Sequence, residues 1–292
     1  MANAIELFKQ YIAMLDEIYK LEAKTNVLDG ANELVRQGAN ANELVIPMID
    51  MDGLANYSRS SGYVNGSVDF KFETVKCNFD RGRMFSVDAM DDIETMGMVF
   101  GKLSSEFVRT KVIPELDAFR ISKYASLTDI STVEAADLAT GADVVKALRA
   151  ATTKMNNDEV PEAYRVLFIE TGLKGLVDDL DTTKSKEVLK KFSQIVEMPQ
   201  NRFYTGIKQL SGGSSEEKGG YTRATGANNI NFMVVEKSAA IQFAKRVNSK
   251  IISPEQNQDA DAYKYGYRQV AIADAYKNKR AGIYLHKSTV TA

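Results

Sequence analysis

The chain has 292 residues, 44% of them hydrophobic and 26% charged, which is enough for one large globular domain or two ordinary ones. Lys and Arg number 37 against 39 Asp and Glu, and this near-neutral balance argues against a protein that binds nucleic acid tightly. A single cysteine, Cys77, excludes an intramolecular disulfide framework and a cysteine-rich zinc site, and a single histidine, His286, lowers the odds of an enzyme.

The first 50 residues predict a broken helical arm. Apolar side chains recur at three- and four-residue spacing from Ile5 to Lys24, which is the pattern of an amphipathic helix. A second short helix is predicted over residues 31–36. Residues 44–49 form a short apolar run, and Pro47 within it suits an extended or edge segment better than a central strand.

The next segment predicts a long two-stranded hairpin. In its first strand Val68, Phe70 and Phe72 alternate with charged residues, so one face is apolar and the other largely charged. Turn-forming residues over 78–82 lead to a second alternating run over 83–88, and the two runs are predicted to pair with each other. A two-stranded ribbon alone is marginal in water, so its apolar face must lie against another surface. On composition alone, the favoured surface is the sheet of its own domain.

The rest of the chain predicts a mixture of helices and strands. A long helix is expected from Ile93 to Phe107, with a kink or restart at Pro114 and a second helical piece over 115–125. Further elements are predicted as helices over 141–155, 184–192 and 238–247, strands over 164–169, 201–207 and 230–235, a flexible glycine-rich surface loop over 211–228, and a C-terminal hairpin of 265–275 with 282–285.

No motif for catalysis or ligand binding stands out. Residues 171–175 follow a predicted strand but lack the Lys-Ser/Thr ending of a phosphate-binding loop, and the acidic cluster at 178–181 lacks the spacing of a calcium loop. No apolar run approaches the roughly 18 residues of a membrane span, and the N-terminus lacks a secretory signal. We therefore expect no catalytic residue, no metal, no cofactor and no membrane contact, although an enzyme that uses the α/β middle stays open as an alternative.

Three segments, in order, resemble the major capsid protein of tailed bacteriophages, which has the Hong Kong 97-type fold. The first is Asp80-Arg-Gly-Arg-Met-Phe-Ser-Val-Asp88, similar to the end of that family's extended loop. The second is Val112-Ile-Pro-Glu-Leu-Asp-Ala-Phe-Arg120, similar to the segment after its spine helix. The third runs from Pro254 to Tyr284 and is similar to the family's closing segment.

The resemblance implies an α+β fold with five parts. These are an N-terminal arm over 1–50, an extended loop with a β-hairpin over 51–90, a peripheral domain with the spine helix over 91–135, an axial domain over 136–245, and a return to the peripheral domain over 246–292.

The resemblance also implies a structural role. Such a subunit assembles with itself as hexamers and pentamers into an icosahedral head shell around double-stranded DNA, which it encloses without reading its sequence. The partners implied are a separate scaffolding protein, a portal and decoration proteins, and the location is the virion, after assembly in the bacterial cytoplasm. An encapsulin-like compartment that encloses cargo protein is the alternative of the same fold, and the motif around Asp80 argues against it.

The resemblance places the site residues at contacts between subunits. Phe70 and Phe72 would rest on a neighbouring subunit. Asp80, Arg81 and Arg83 would make intersubunit ion pairs, because a forked guanidinium group at a loop tip suits a carboxylate. Three charged residues of the second segment are expected at assembly contacts as well: Glu115, Asp117 and Arg120.

Overall fold

The computed structural model describes residues 23–29, 36–37, 43–94, 103, 106–180 and 183–291. Most of the predicted arm helices, over 5–24 and 31–36, and most of the predicted helix from Ile93 to Phe107 lie outside the described residues.

Thirteen strands and five α-helices span the described residues. The strands are β1 (Arg36–Gln37), β2 (Glu43–Met51), β3 (Val68–Lys76), β4 (Phe79–Asp88), β5 (Ser131–Val133), β6 (Arg165–Glu170), β7 (Gln194–Met198), β8 (Ile207–Gln209), β9 (Tyr221–Arg223), β10 (Asn228–Glu236), β11 (Ala240–Ile252), β12 (Ala262–Ala275) and β13 (Ile283–Thr291). The helices are α1 (Ala89–Glu94), α2 (Ile113–Ala125), α3 (Gly141–Asn157), α4 (Thr171–Asp178) and α5 (Thr183–Leu189).

The central five-stranded sheet, in the order β5-β13-β10-β6-β7, is covered on both faces. Leu167 and Ile169 of β6 face a cluster that includes the buried side of α3, whereas Val166 and Phe168 face a cluster that includes α2. A strand buried on both faces is apolar along its whole length, which is why the sequence over 164–169 predicts a buried strand, and residues 230–235 are predicted as a strand as well. Both predictions are confirmed.

Helix α3 is also predicted from local sequence. Thr140 caps its first turn, because the Thr140 hydroxyl accepts from the Asp143 amide while the Asp143 carboxylate accepts from the Thr140 amide. Val144, Leu148 and Met155 are fully buried against the central sheet. Each such side chain contributes about 1.5–3 kcal/mol through removal from water. A π-helical turn over Val108–Val112 precedes α2, so the helix is irregular just before Pro114, as predicted.

The predicted hairpin of 68–76 with 83–88 is wrong. Strand β3 pairs antiparallel with β2, and β4 pairs with β12 in a different, three-stranded sheet of order β11-β12-β4. Asn78 lies in the connection from β3 to β4, and its side chain fixes that connection to β12. It donates to the Ala273 carbonyl at 2.7 Å and accepts from the Ala273 amide at 3.1 Å. Gly82 lies within β4 rather than in a turn, and a Cβ there would come within 2.7 Å of the Tyr267 carbonyl oxygen.

Other predictions in the C-terminal half are also wrong. Residues 238–247 are not helical: a 3-10 turn over Lys237–Ala239 leads into β11, which pairs with β12 along its length. Strands β12 and β13 lie in separate sheets, so the predicted C-terminal hairpin does not form. The predicted strand over 201–207 is mostly a 3-10 turn and loop, and the glycine-rich segment contains β9, which pairs with β8. For 238–247, pairing with β12 overrides the local helical pattern.

The single histidine is buried in the central sheet. His286 is 4% exposed. Its Nδ1 accepts from the side-chain Nδ2 of Asn231 at 3.1 Å, and its ring stacks on Phe232 with centroids 4.9 Å apart. Burial lowers the pKa of His286 below its ordinary 6.5, and a hydrogen bond with the Lys287 backbone opposes this only in part. The folded protein therefore favours the neutral ring.

The stability of the subunit is expected to fall as the pH drops below 6.5. The unfolded chain takes up a proton on His286 near its ordinary pKa, while the folded chain resists it, so stability present above pH 6.5 is lost by up to about 1.4 kcal/mol per pH unit. Urea unfolding between about pH 7.5 and about pH 5 measures this slope. His286→Gln keeps an amide oxygen near Asn231 without titrating, and equal slopes in both proteins would contradict the assignment.

Candidate assembly surfaces

The hairpin of β2 and β3 presents a continuous apolar face to solvent. Its register places Ile49 opposite Phe70 and Met51 opposite Val68, so their side chains share a face with Phe72. All five are more than half exposed, and the rings of Phe70 and Phe72 meet edge to face with centroids 4.9 Å apart. A monomer gains nothing from aligning these side chains in water, so the face is a candidate contact surface.

The opposite face of β3 carries charged side chains. Asp69 and Lys71 form an exposed ion pair at 2.7 Å on β3. The alternation predicted for this strand is therefore confirmed, although its partner is β2 rather than β4.

The tip of the hairpin, residues 52–67, is also apolar. Leu54, Tyr57, Tyr63 and Val64 are exposed, and the two tyrosine rings touch with centroids 4.9 Å apart. A tight turn closed by bridging of Ser58 and Gly62 holds the rings together. The apolar surface thus continues from the strands to the end of the hairpin.

Arg81, a predicted intersubunit residue, has its partners within the chain. Its Nε donates to the Glu115 carboxylate at 2.8 Å, and its Nη2 donates to the carbonyls of Leu210 and Gly220 at 2.7 and 3.2 Å. Arg81 thereby joins β4 to helix α2 and to the segment between β8 and β9. Gln209 approaches the same Glu115 oxygen at 3.4 Å.

Arg83 and Asp80 are also engaged within the chain. Arg83 donates to the carbonyl of Glu217 at 2.8 Å and lies against Gly212, where the backbone has φ +76° and a Cβ would come within 2.9 Å of the guanidinium. Asp80 accepts two hydrogen bonds from Arg268, at 2.8 and 2.6 Å, and these lower the pKa of the Asp80 carboxyl. Both groups of this pair are exposed, so we expect little stability from it.

Asp117 is fully buried on α2 and holds the end of the N-terminal arm. Its carboxylate accepts from the amides of Lys24 and Thr25 at 3.0 and 3.1 Å and from the Thr25 hydroxyl at 2.6 Å. Arg202, itself buried, donates at 3.2 Å to Oδ2, the oxygen that also accepts from the Lys24 amide. The buried charge is therefore both paired and hydrogen-bonded.

Arg120, one turn further along α2, completes this buried network. It donates to the Thr25 hydroxyl at 3.0 Å and to the Asn26 side chain at 3.1 Å, and it pairs with Asp29 at 3.4 Å. Gln242 of β11 donates to the Thr25 carbonyl and to Asp29, each at 2.7 Å. Segment 23–29 is thus fixed between α2 and β11.

The predicted site residues therefore fall into two groups. Phe70 and Phe72 lie on the exposed apolar face, and their contact with a neighbouring subunit remains a prediction. The six charged residues all have partners in their own chain, where an intersubunit role was expected: Asp80, Arg81, Arg83, Glu115, Asp117 and Arg120. Arg202 and Gln242 were missed because each acts through a segment that is distant along the chain, and no local pattern marks them.

Arg81→Ala is expected to loosen the β8–β9 segment from β4. The change removes the Arg81 donor from the Leu210 carbonyl and the cation from beside Glu115, which costs about 1–3 kcal/mol locally, while the Gly220 carbonyl keeps the Leu210 amide as a donor at 2.8 Å. Hydrogen exchange of amides over 207–223 measures the loosening. Arg83→Ala, which removes a bond to one carbonyl, is the matched control and should change exchange less; equal exchange in wild type and Arg81→Ala would overturn the prediction.

The described part of the chain contains no cluster of three or more potential metal-ligating side chains. Among the same residues, no helix is long and apolar enough to cross a membrane.

No protein-family model matches the sequence, and no curated protein matches it significantly. Solved structures do match. A chain from a structure of Mycobacterium phage Che8 is similar with a TM-score of 0.64 at 11% identity, over 98% of this chain and 97% of that one. The capsid structure of Cyanophage P-SCSP1u is similar with a TM-score of 0.61 at 11% identity, over 99% of this chain and 94% of that one. The crystal structure of a virus-like particle from Pyrococcus furiosus is similar with a TM-score of 0.54 at 10% identity, over 90% of this chain and 96% of that one.

These similarities extend over almost the whole of each chain, at identities that establish the fold alone. The α+β architecture implied by the sequence motifs is confirmed, and this chain has the Hong Kong 97-type fold of phage capsid proteins.

Proposed function

We propose that this chain is a major capsid protein that assembles with itself into the head shell of a tailed bacteriophage. The observation that carries the proposal is the exposed apolar face of the β2–β3 hairpin, on a subunit with a capsid fold. The hairpin strands belong to a separate sheet and their apolar face is exposed in the subunit, so a neighbouring copy is the available surface to cover that face.

Finer parts of the proposal follow the sequence motifs. The subunits form hexamers and pentamers of an icosahedral shell that encloses double-stranded DNA, with a separate scaffolding protein, a portal and decoration proteins as partners. A net charge of -2 suits a shell that confines DNA without gripping it. Assembly takes place in the host cytoplasm, and the role is structural rather than catalytic.

The proposed domain division follows the order of parts in the sequence analysis, with boundaries changed where strand pairing requires it. The extended loop comprises the hairpin 43–76 and its tip, because strand pairing begins at Glu43 and ends at Lys76. Strand β4 belongs with β11 and β12 in the peripheral domain.

A compartment that encloses cargo protein is the alternative of the same fold, and the similarity to the virus-like particle from Pyrococcus furiosus keeps it open. Electron microscopy of the purified protein, with and without a co-expressed scaffolding protein, tests the shared prediction. Closed shells or tubes are expected. A protein that stays monomeric at every concentration would contradict both, and DNA recovered from nuclease-treated shells made during infection separates phage head from compartment.

A further inference from the structure

In the described part of the chain, strands β3 and β11 each have a strand edge without a neighbouring strand. The sheet orders place β3 at the edge of the hairpin sheet and β11 at the edge of the sheet β11-β12-β4. Two residues, Cys77 and Asn78, join β3 to β4, which lies at the opposite edge of that sheet from β11. A chain therefore cannot bring its own β3 to its own β11 while these sheets stay intact. Open edges of this length are templates for pairing with another chain.

The backbone groups that point outward from β3 can be identified. In an antiparallel pair, hydrogen-bonded and non-hydrogen-bonded positions alternate. The Asp52 amide donates to the Ser67 carbonyl at 3.1 Å, so the odd-numbered residues of β3 bond to β2. The N–H and C=O groups of Val68, Phe70 and Phe72 therefore face away from β2 and are available to a further strand.

The same argument applies to β11. The Tyr276 amide donates to the Ala239 carbonyl at 3.0 Å, so the even-numbered residues of β12 bond to β11. The bulge between Ala244 and Arg246 shifts the register by one residue. Beyond it the even-numbered residues of β11 bond to β12, and the N–H and C=O groups over 247–251 that face outward are the odd-numbered ones.

The two edges also complement each other in charge. Residues 246–251 are exposed on both faces, and β11 carries Lys245, Arg246 and Lys250 with no acidic residue. Strand β3 has acidic residues at positions 69 and 73 of its sequence, and Asp69 lies on the face opposite Phe70 and Phe72. Cross-strand pairs of opposite charge stabilise a sheet, whereas like charges directly opposite destabilise it.

We propose that β3 of one copy pairs antiparallel with β11 of a neighbouring copy, with Phe70 opposite Ser249. This register makes hydrogen-bonded pairs of the outward groups on both strands. It aligns apolar with apolar residues and acid with base: Val68 with Ile251, Phe72 with Val247, Asp69 with Lys250, and Glu73 with Arg246.

Neighbouring registers are worse. A shift by two residues in either direction places Lys71 opposite Arg246 or Lys250, where like charges repel. A shift by one residue breaks the hydrogen-bonding alternation and turns the apolar face of β3 to the charged side of β11. The contact is heterologous, because different strands of the two copies meet, and such contacts close into rings when the rotation permits. The inference deepens the proposed function and rests on it.

Disulfide cross-linking tests the register directly. In this pairing Lys71 lies opposite Asn248 at a non-hydrogen-bonded position, where Cα atoms are about 4.5 Å apart, within disulfide range. Chains with Cys77→Ser and Lys71→Cys, mixed with chains carrying Cys77→Ser and Asn248→Cys, are expected to form a covalent dimer on a non-reducing gel. The matched control replaces Lys250 instead of Asn248 and should cross-link at least about fivefold less; equal or absent cross-linking at 248 would overturn the pairing.

Charge reversal gives a second, independent test. Asp69→Lys and Lys250→Asp alone are each expected to raise the protein concentration needed for assembly by about fivefold, and together to restore it. A double variant that needs as high a protein concentration for assembly as either single variant would overturn the pairing. If the wild type forms shells but the cysteine variants at 71 and 248 do not cross-link, this inference alone is contradicted. Wild-type protein that forms no particles contradicts the proposed function, and cross-linking in solution then still decides the strand pairing.

Discussion

Asp117→Ala is expected to lower the free energy of unfolding of the subunit by about 3–5 kcal/mol, because it breaks a fully buried ion pair and leaves the other charge unpaired. The Asp117 carboxylate is the partner of Arg202 and of the amides of Lys24 and Thr25. Thr25 and Arg202 are buried, so water does not replace the lost carboxylate there. Urea unfolding of the unassembled subunit, followed by circular dichroism, measures the effect.

Asp259→Ala is the matched control. Asp259 pairs with Lys264 at 2.6 Å, but its side chain is 81% exposed, so the loss should stay below about 1 kcal/mol. Asp117→Asn keeps the shape of the side chain without the charge, and its loss in free energy of unfolding is expected to lie between those of Asp117→Ala and Asp259→Ala. Equal losses for Asp117→Ala and Asp259→Ala would show that the buried network does not hold the arm.

The second large effect is expected on assembly. Phe70→Asp with Phe72→Asp should abolish shell formation, because each phenylalanine buried at a contact contributes about 1.5–3 kcal/mol and the pair therefore more than about a hundredfold in association. Both side chains are exposed in the subunit, so its unfolding free energy should change by no more than about 0.5 kcal/mol. Sedimentation velocity and electron microscopy measure assembly, and urea unfolding measures stability.

Tyr164→Asp is the matched control for this pair. Tyr164 is an equally exposed aromatic residue, but it lies beside the central sheet and away from the hairpin. We expect normal shells from Tyr164→Asp. Normal shells from the Phe70 and Phe72 double variant would contradict the role of the hairpin face, and a double variant that unfolds would show that these side chains serve the subunit itself.

Elements whose signal is local are predicted well from the sequence. Helix α3 has its own cap at Thr140 and its own apolar stripe, and β6 is apolar along its whole length because both of its faces are covered. The face of β3 that carries Phe70 and Phe72 is likewise read correctly, because alternation along one strand needs no knowledge of its partner.

Pairing partners are predicted poorly. The alternation in 83–88 is compatible with either β3 or β12 as neighbour, and the side chain of Asn78, anchored on Ala273 far along the chain, accompanies the choice of β12. Residues 238–247 contain good helix formers, yet their ladder with β12 makes them a strand. Differences in helix propensity amount to less than about 1 kcal/mol per residue, and the free energy gained by pairing with β12 outweighs them.

By itself, the sequence determined the α+β class, the two faces of strand β3, and a composition poor in the groups that catalysis and metal binding need. Only the tertiary structure decided where the charges of α2 lie. Asp117 and Arg120 look like surface charges in the sequence, because nothing next to them along the chain can bury or pair them. They are inside because segment 23–29 and Gln242 close around them, and a contact between residues about a hundred or more positions apart leaves no periodic trace in the chain.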